Sequence, residues 1–224
     1  KARVPGLTIL AGGPGVMHKS IAGITNGSQL LAHGIDYYCL GEGDEFILDF
    51  LRGKRDMLGL NCASDKFETW VPQLDNLDQT YLLPSYKHIK TDLYHTLEHK
   101  SAPVYSISSS RGCVRNCSFC DVNEFWGKFR FRSGEALASE IVKHYTEVGA
   151  VHYNFVDSLI NGSLKSFKDF NIAMADKIKQ YPGLEKFSYN GLFIVRNKKS
   201  HPESMYAMMA AAGCESVGIG VETG

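Results

Sequence analysis

The sequence has no surplus of charge: 24 lysines and arginines are balanced by 24 aspartates and glutamates. Composition therefore gives no reason to expect a nucleic-acid or membrane surface as partner. No apolar run approaches the ~18 residues of a membrane-crossing helix. The opening residues lack a secretory-signal pattern. Without one, six cysteines in 224 residues do not read as a disulfide framework, and a reducing cytoplasm is the expected setting. Two motifs are also missing. The early glycine turn is not G-x-G-x-x-G, so it marks no dinucleotide site, and no histidine pair carries the acidic partner of H-E-x-x-H. The chain begins at Lys1 without methionine and stops at Gly224 directly after a strand-like run, as expected for a fragment of a longer protein.

The length suffices for one large or two small domains, and 44% apolar residues is ordinary for a globular chain. The chemistry concentrates in Ser109-Ser110-Arg111-Gly112-Cys113-Val114-Arg115-Asn116-Cys117-Ser118-Phe119-Cys120. Cys113, Cys117 and Cys120 stand four and three residues apart, directly after the strand-like run 104–108. Three such thiolates can hold three corners of an iron–sulfur cube. No fourth cysteine follows at a matching spacing, so one iron would stay open for a ligand that is not protein. Two other readings remain: an iron–sulfur electron carrier that takes Cys39, Cys62 or Cys214 as fourth ligand, or a structural zinc site completed by a histidine. Those three scattered cysteines otherwise read as small buried hydrophobes.

In chain order, residues 7–11 form a buried strand entering Gly12-Gly13-Pro14-Gly15. A short helix is expected at 28–33, a strand at 37–40, and a helix at 45–51 with Phe46, Ile47, Phe50 and Leu51 on one face. Strand–helix–strand–helix is the pattern of an open parallel sheet. Residues 56–103, punctuated by Pro72, Pro84 and Pro103, read as a connector with a small strand near 66–71. His95 and His99 have zinc-like helical spacing but read better as a solvated face. From 104 the alternation is regular. Strands at 104–108, 151–156, 187–190 (extending toward 194) and 216–221 alternate with helices at 134–148, from Asn161 or Ser163 to about Tyr181, and from a capping box Ser200-His201-Pro202-Glu203 to Ala212. Ser133 caps the first of these helices and Gly149 stops it. Four strand–helix units argue a parallel barrel or half-barrel with its site at the carboxyl ends of the strands.

The spacing C-x3-C-x2-C, with Phe119 just before the last cysteine, resembles the signature of radical S-adenosylmethionine (radical SAM) enzymes; the resemblance covers about residues 104–224. Residues 7–52, with "Ile-Asp-Tyr-Tyr-Cys-Leu-Gly-Glu-Gly-Asp-Glu", are similar to the last part of the cobalamin-binding domain that often precedes such a barrel. The implied fold is α/β: a partial parallel (β/α) radical SAM barrel preceded by part of a Rossmann-like cobalamin-binding-type domain. The implied organisation is 1–55 cobalamin-binding-like, 56–103 connector and 104–224 radical SAM core. The resemblance implies a 4Fe-4S cluster on Cys113, Cys117 and Cys120, with SAM on the open iron. Reductive cleavage of SAM would give a 5′-deoxyadenosyl radical that modifies a small-molecule or other, unidentified substrate. The electron would come from a donor such as flavodoxin or ferredoxin. Phe119 matches the aromatic beside the adenine, or is a packed loop residue. Asp157 occupies the region that meets the SAM amino group, although the family often has Gly-Gly-Glu or Asp-Asp where this chain has Asp-Ser. Glu222 matches the glutamate of the "G-V-E-S/T-G" motif, and Arg196 would meet the SAM carboxylate or stand exposed. Arg130 and Arg132 resemble the entry to the first barrel helix, where a structural role is expected. Gly12 and Gly13 match the pair that lies against the nucleotide tail of cobalamin, or form a turn that only packs a helix on a sheet. The family's D-x-H-x-x-G motif is absent from this chain.

Overall fold

The computed structural model describes residues 4–13, 16, 33–62, 65, 67–79, 84–95 and 102–221. The chain divides into two compact units, 1–75 and 76–224. The division falls inside the stretch expected to be a connector. The expected helix at 28–33 lies almost wholly outside the described residues, and His99 lies wholly outside them.

The first unit is built on a three-stranded sheet. β1 (Leu10–Ala11) pairs in parallel with β2 (Tyr37–Cys39), and β2 pairs antiparallel with β3 (Leu60–Asn61). The sheet is therefore mixed rather than purely parallel. Helix α1 (Asp44–Leu51) starts with Asp44 and Glu45, which favour the positive end of the helix dipole. Phe46 and Phe50 lie one turn apart and are buried against Cys39, Tyr37 and Leu60. Ile47 and Leu51, expected on the same face, are 38% and 74% exposed, so the buried stripe is only one residue wide. The strand expected near 66–71 is replaced by an isolated bridge between Gly41 and Val71. The Asn61 side chain does the rest: its Oδ1 accepts from the Thr69 amide at 2.7 Å and its Nδ2 donates to the Thr69 carbonyl at 3.1 Å.

The second unit holds an open sheet of four parallel strands. Its order is β4 (Val104–Ile107), β7 (His152–Phe155), β8 (Ser188–Leu192) and β9 (Cys214–Gly218). A two-stranded ribbon, β5 (Ser110–Arg111) with β6 (Arg130–Phe131), flanks the short helix α2 (Val122–Trp126). Helix α3 (Gly134–Val148) runs from β6 to β7, α4 (Leu164–Gln180) from β7 to β8, and α5 (Glu203–Ala211) from β8 to β9. Ser133 accepts a hydrogen bond from the Ala136 amide and caps α3; Gly149, left-handed at φ 71°, ends it. Ser163, rather than Asn161, caps α4. At α5 the expected capping box does not form: Pro202, whose ring has no acceptor, takes the cap position, and the His201 ring before it is 3% exposed.

Alternation along the strands separates two faces. Tyr105, Ile107, Tyr153, Phe155 and Tyr189 point to one face and join residues of α3, α4 and α5 in a single core. The other face carries Ser106, Asn154, Asn190 and Ser216 in register across all four strands. No helix among the described residues is long and apolar enough to cross a membrane.

Candidate functional site

The cysteine loop is an excursion of residues 112–129 between β5 and β6. The β5–β6 pairing, Ser110 with Phe131 and Arg111 with Arg130, closes its neck. Below the neck, the Arg132 amide donates to the Ser109 carbonyl at 2.8 Å, and Arg132 Nη1 donates to the Ser108 carbonyl at 3.2 Å. Arg132 is held in turn by an ion pair with Glu140 on α3; the two side chains are 9% and 2% exposed. Arg132 thus has a structural place, tying the exit of β4 to α3.

Within the loop, the Cys120 amide donates to the Cys117 carbonyl at 3.1 Å, and the Arg115 amide donates to Cys113 Sγ at 3.4 Å. Asn123 Nδ2 donates to the Arg115 carbonyl. The Arg111 guanidinium lies 5.3 Å above the Trp126 ring. All three cysteines are free thiols; Cys113 is half-buried, Cys117 and Cys120 are exposed.

The three thiols line one wall of a cavity of about 680 Å³, together with Phe119. Ser158 and Leu159, which follow β7, Leu192 to Val195 at the end of β8, and Ile219 and Gly220 after β9 form the remaining walls. The cavity therefore opens at the carboxyl ends of three parallel strands, where α/β sheets place their ligands. Arg115 is the cationic side chain that lines it among the described residues.

The chemistry of the donor set fits an iron–sulfur cluster: three soft sulfur ligands face one open space. The thiols are not drawn together, however. Among the described residues no three histidine, cysteine, aspartate or glutamate side chains stand close enough to hold a metal ion. Cys214, a possible fourth ligand, opens β9 and so lies at the opposite end of that strand from the cavity.

Asp157 follows β7 and is 5% exposed. Its Oδ2 accepts from the Ser109 amide at 2.9 Å; its Oδ1 accepts from the Ser109 hydroxyl at 2.9 Å and the Ser110 hydroxyl at 2.5 Å. Burial pushes this carboxyl above its ordinary value, while the bonds from Ser109 and Ser110 pull the other way.

Arg196 is turned beneath the cavity wall. Its Nη2 donates to the carbonyls of Asn161 and Gly162, both at 3.3 Å, and its Nε is buried with no partner among the described residues. Asn161 is fully buried and brackets Ile194, accepting from its amide at 3.0 Å and donating to its carbonyl at 2.9 Å. His201 Nδ1 accepts from the Arg196 amide at 3.0 Å. Burial, with Arg196 beside it, pushes the His201 imidazole below its ordinary value. Asn161 and His201 thus shape the wall segment 193–196, a role their sequence neighbourhood did not reveal. Asn161 looked like a helix start and His201 like part of a cap.

Phe119 lines the cavity and is 72% exposed, so it is not packed within the loop. Glu222 lies outside the described residues. In the first unit, Gly12 follows β1, and Gly13 adopts φ 86°, a region L side chains rarely enter. No described atom lies within 4 Å of where a Gly13 Cβ would stand, while a Cβ at Gly12 would touch Cys39 at 3.8 Å.

These features define an α/β protein with a three-cysteine loop at the carboxyl edge of a parallel sheet. No protein-family model matches the chain. It is 28% identical over 200 residues to an uncharacterized methyltransferase of Pyrococcus horikoshii, covering 84% of this chain and 40% of that protein. It is 25% identical over 149 residues to the cytidylyl-2-hydroxyethylphosphonate methyltransferase of Streptomyces wedmorensis, covering 63% of this chain and 26% of that one. Among solved structures it resembles the radical S-adenosylmethionine methyltransferase TsrM of Kitasatospora setae. The form with cobalamin and a 4Fe-4S cluster bound gives a TM-score of 0.64 at 16% identity, over 98% of this chain and 42% of that one. The form with tryptophan and a SAM analogue gives 0.63 at 18% identity, over 95% and 41%. At these identities the likeness is one of fold. The chain spans 26% to 40% of the length of the two curated relatives.

Proposed function

We propose that this chain carries the cofactor-binding part of a radical SAM enzyme whose outcome is methyl transfer. One observation carries the reading: three free cysteines with C-x3-C-x2-C spacing line a single cavity at the carboxyl ends of parallel strands. The methyltransferase relatives and the fold likeness to TsrM point the same way. In this reading the strands continue into a (β/α) barrel.

Cys113, Cys117 and Cys120 hold a 4Fe-4S cluster and leave one iron for SAM. When bound, the cluster supplies the electron that cleaves the SAM sulfonium, received from a donor such as flavodoxin or ferredoxin; the chemistry belongs to the cofactors. The chain binds, orients and excludes water. Phe119 offers its ring to the adenine. Glu222 serves the ribose or amino end of SAM, whereas Arg196, bonded to the Asn161 and Gly162 carbonyls, holds the wall from behind. Leu159, Leu192, Phe193 and Ile194 make the far wall apolar, which keeps water from a reactive intermediate. Gly12 and Gly13 lie against a cobalamin tail, with open space beside Gly13 among the described residues.

Anaerobic reconstitution tests the cluster assignment. Iron and sulfide are expected in the wild-type protein and largely lost on Cys113→Ala, Cys117→Ala or Cys120→Ala. Zinc without sulfide, or variants that keep their iron, would overturn it. Expression with hydroxocobalamin tests the second cofactor, which a bound visible chromophore supports. A colourless protein leaves the Gly12-Gly13 turn as scaffold.

A further inference from the structure

We propose that Asp157 is a positioning residue for the cysteine loop, and that it acts through Ser109 and Ser110 rather than on a bound ligand. The role rests on the cluster-binding reading of the loop. Resemblance alone sets Asp157 against the SAM amino group. Its carboxylate is already committed elsewhere: three groups on two consecutive residues donate to it, the Ser109 amide, the Ser109 hydroxyl and the Ser110 hydroxyl.

The location gives these bonds their effect. Ser109 lies between the end of β4 and the neck of the loop, Ser110 is the neck's first residue, and Asp157 reaches them from the end of β7, 48 and 47 residues away. Cys113 follows Ser110 by three residues. The parallel β4–β7 ladder stops at Ile107 and Phe155, so beyond it the backbone pairing no longer fixes the exit of β4 relative to β7. The carboxylate takes over one step further on, beside the Val156 amide's bond to the Ile107 carbonyl at 2.9 Å. Arg132 secures the same exit from the other side through the carbonyls of Ser108 and Ser109. Clamped from both sides, the neck cannot rotate, and the first thiol leaves it in one direction. A fixed base lowers the cost of bringing three thiolates, two of them on exposed cysteines, to one cluster, since a free base adds ordering entropy to every binding event.

The test uses metal-free protein titrated anaerobically with Co(II), the sulfur-to-cobalt charge-transfer absorption reporting thiolate ligation. Alkylation of Cys113 by iodoacetamide is followed in parallel by mass spectrometry. Asp157→Ala, and separately Ser109→Ala combined with Ser110→Ala, should each weaken Co(II) binding by about tenfold, the factor that re-ordering one released backbone residue costs. Each should also speed Cys113 alkylation. The serine pair keeps the test decisive if Asp157→Ala does not fold. Wild-type Co(II) affinity and alkylation rates in the variants overturn the proposal. So does Asp157→Ala losing SAM affinity alone while the serine pair behaves as wild type, which makes Asp157 a SAM ligand. A wild-type protein that takes no Co(II) through thiolate sinks the cluster reading instead. The alkylation comparison then decides the clamp by itself, and unchanged Cys113 rates overturn it.

Discussion

Replacing Glu140 by alanine should unfold this protein well below the wild-type temperature, and the size of the loss follows from the site. The Arg132 and Glu140 side chains are 9% and 2% exposed, and their ion pair lies beneath the neck of the cysteine loop. Among the described residues, Arg132 Nε and Nη2 are buried without hydrogen-bond partners, and Nη1 reaches Glu140 and the Ser108 carbonyl. Without Glu140, a buried guanidinium keeps one carbonyl acceptor and no counter-charge. Breaking a buried pair from one side costs about 3–5 kcal/mol, whereas an exposed pair is worth under ~1 kcal/mol. At about 2–4 °C per kcal/mol for a chain of this size, the melting temperature falls by about 6–20 °C. Urea and thermal unfolding followed by circular dichroism measure it. Removing both charges, Arg132→Met with Glu140→Leu, should cost less than Glu140→Ala alone, because no uncompensated charge remains. A loss under ~1 kcal/mol for Glu140→Ala, or a double variant as unstable as the sum of the singles, would refute the reasoning.

Gly134→Ala sets helix propensity against packing. The new Cβ would stand 2.1 Å from the Phe170 backbone nitrogen, so α3 and α4 must separate; the clash of about 1–3 kcal/mol exceeds a propensity gain of at most ~1 kcal/mol, and urea unfolding should show a net loss. Asn161→Ala strands both the amide and the carbonyl of Ile194, which predicts a loss of about 2 kcal/mol or more in the same assay and weaker binding of any ligand held by the 193–196 wall. His144 is fully buried, and burial pushes its imidazole below the ordinary 6.5. The unfolded chain therefore takes up the proton first. The stability contribution of neutral His144 is fully present above pH 6.5 and is lost as pH falls from there toward the folded value. Unfolding free energies from pH 8 down to about 5 should decline below 6.5, and His144→Phe should flatten that decline.

The elements most legible in the sequence carried signals within a few residues of themselves. Helix α3 runs from Gly134 to Val148 as expected, because Ser133 caps it, Gly149 stops it and a 3.6-residue stripe lies between. The cysteine loop was legible for the same reason: its spacing is local, and the strand before it marks the carboxyl edge of the sheet. What stayed hidden depends on partners distant in sequence. Asn61 completes a strand edge with its side-chain amide, and Asn161 does the same for Ile194 from 33 residues away. Nothing beside either asparagine marks it. Asp157 was visible as a strand-end acid, but the serines that engage it are 47 and 48 residues distant. The box Ser200-His201-Pro202-Glu203 has capping spacing, yet the helix starts later, with Pro202 as its cap, and His201 Nδ1 accepts from the Arg196 amide instead. Along α1, an apolar pattern two residues wide met a sheet that covers only Phe46 and Phe50.

The central claim is that the cysteine loop holds a cluster with one iron open to SAM. Electron paramagnetic resonance of the reconstituted, reduced protein tests it most directly, recorded before and after SAM is added. A 4Fe-4S signal that changes on SAM addition, and is missing from a Cys113→Ala, Cys117→Ala, Cys120→Ala triple variant, is the expected result. A signal indifferent to SAM, or one that survives loss of all three cysteines, would contradict it.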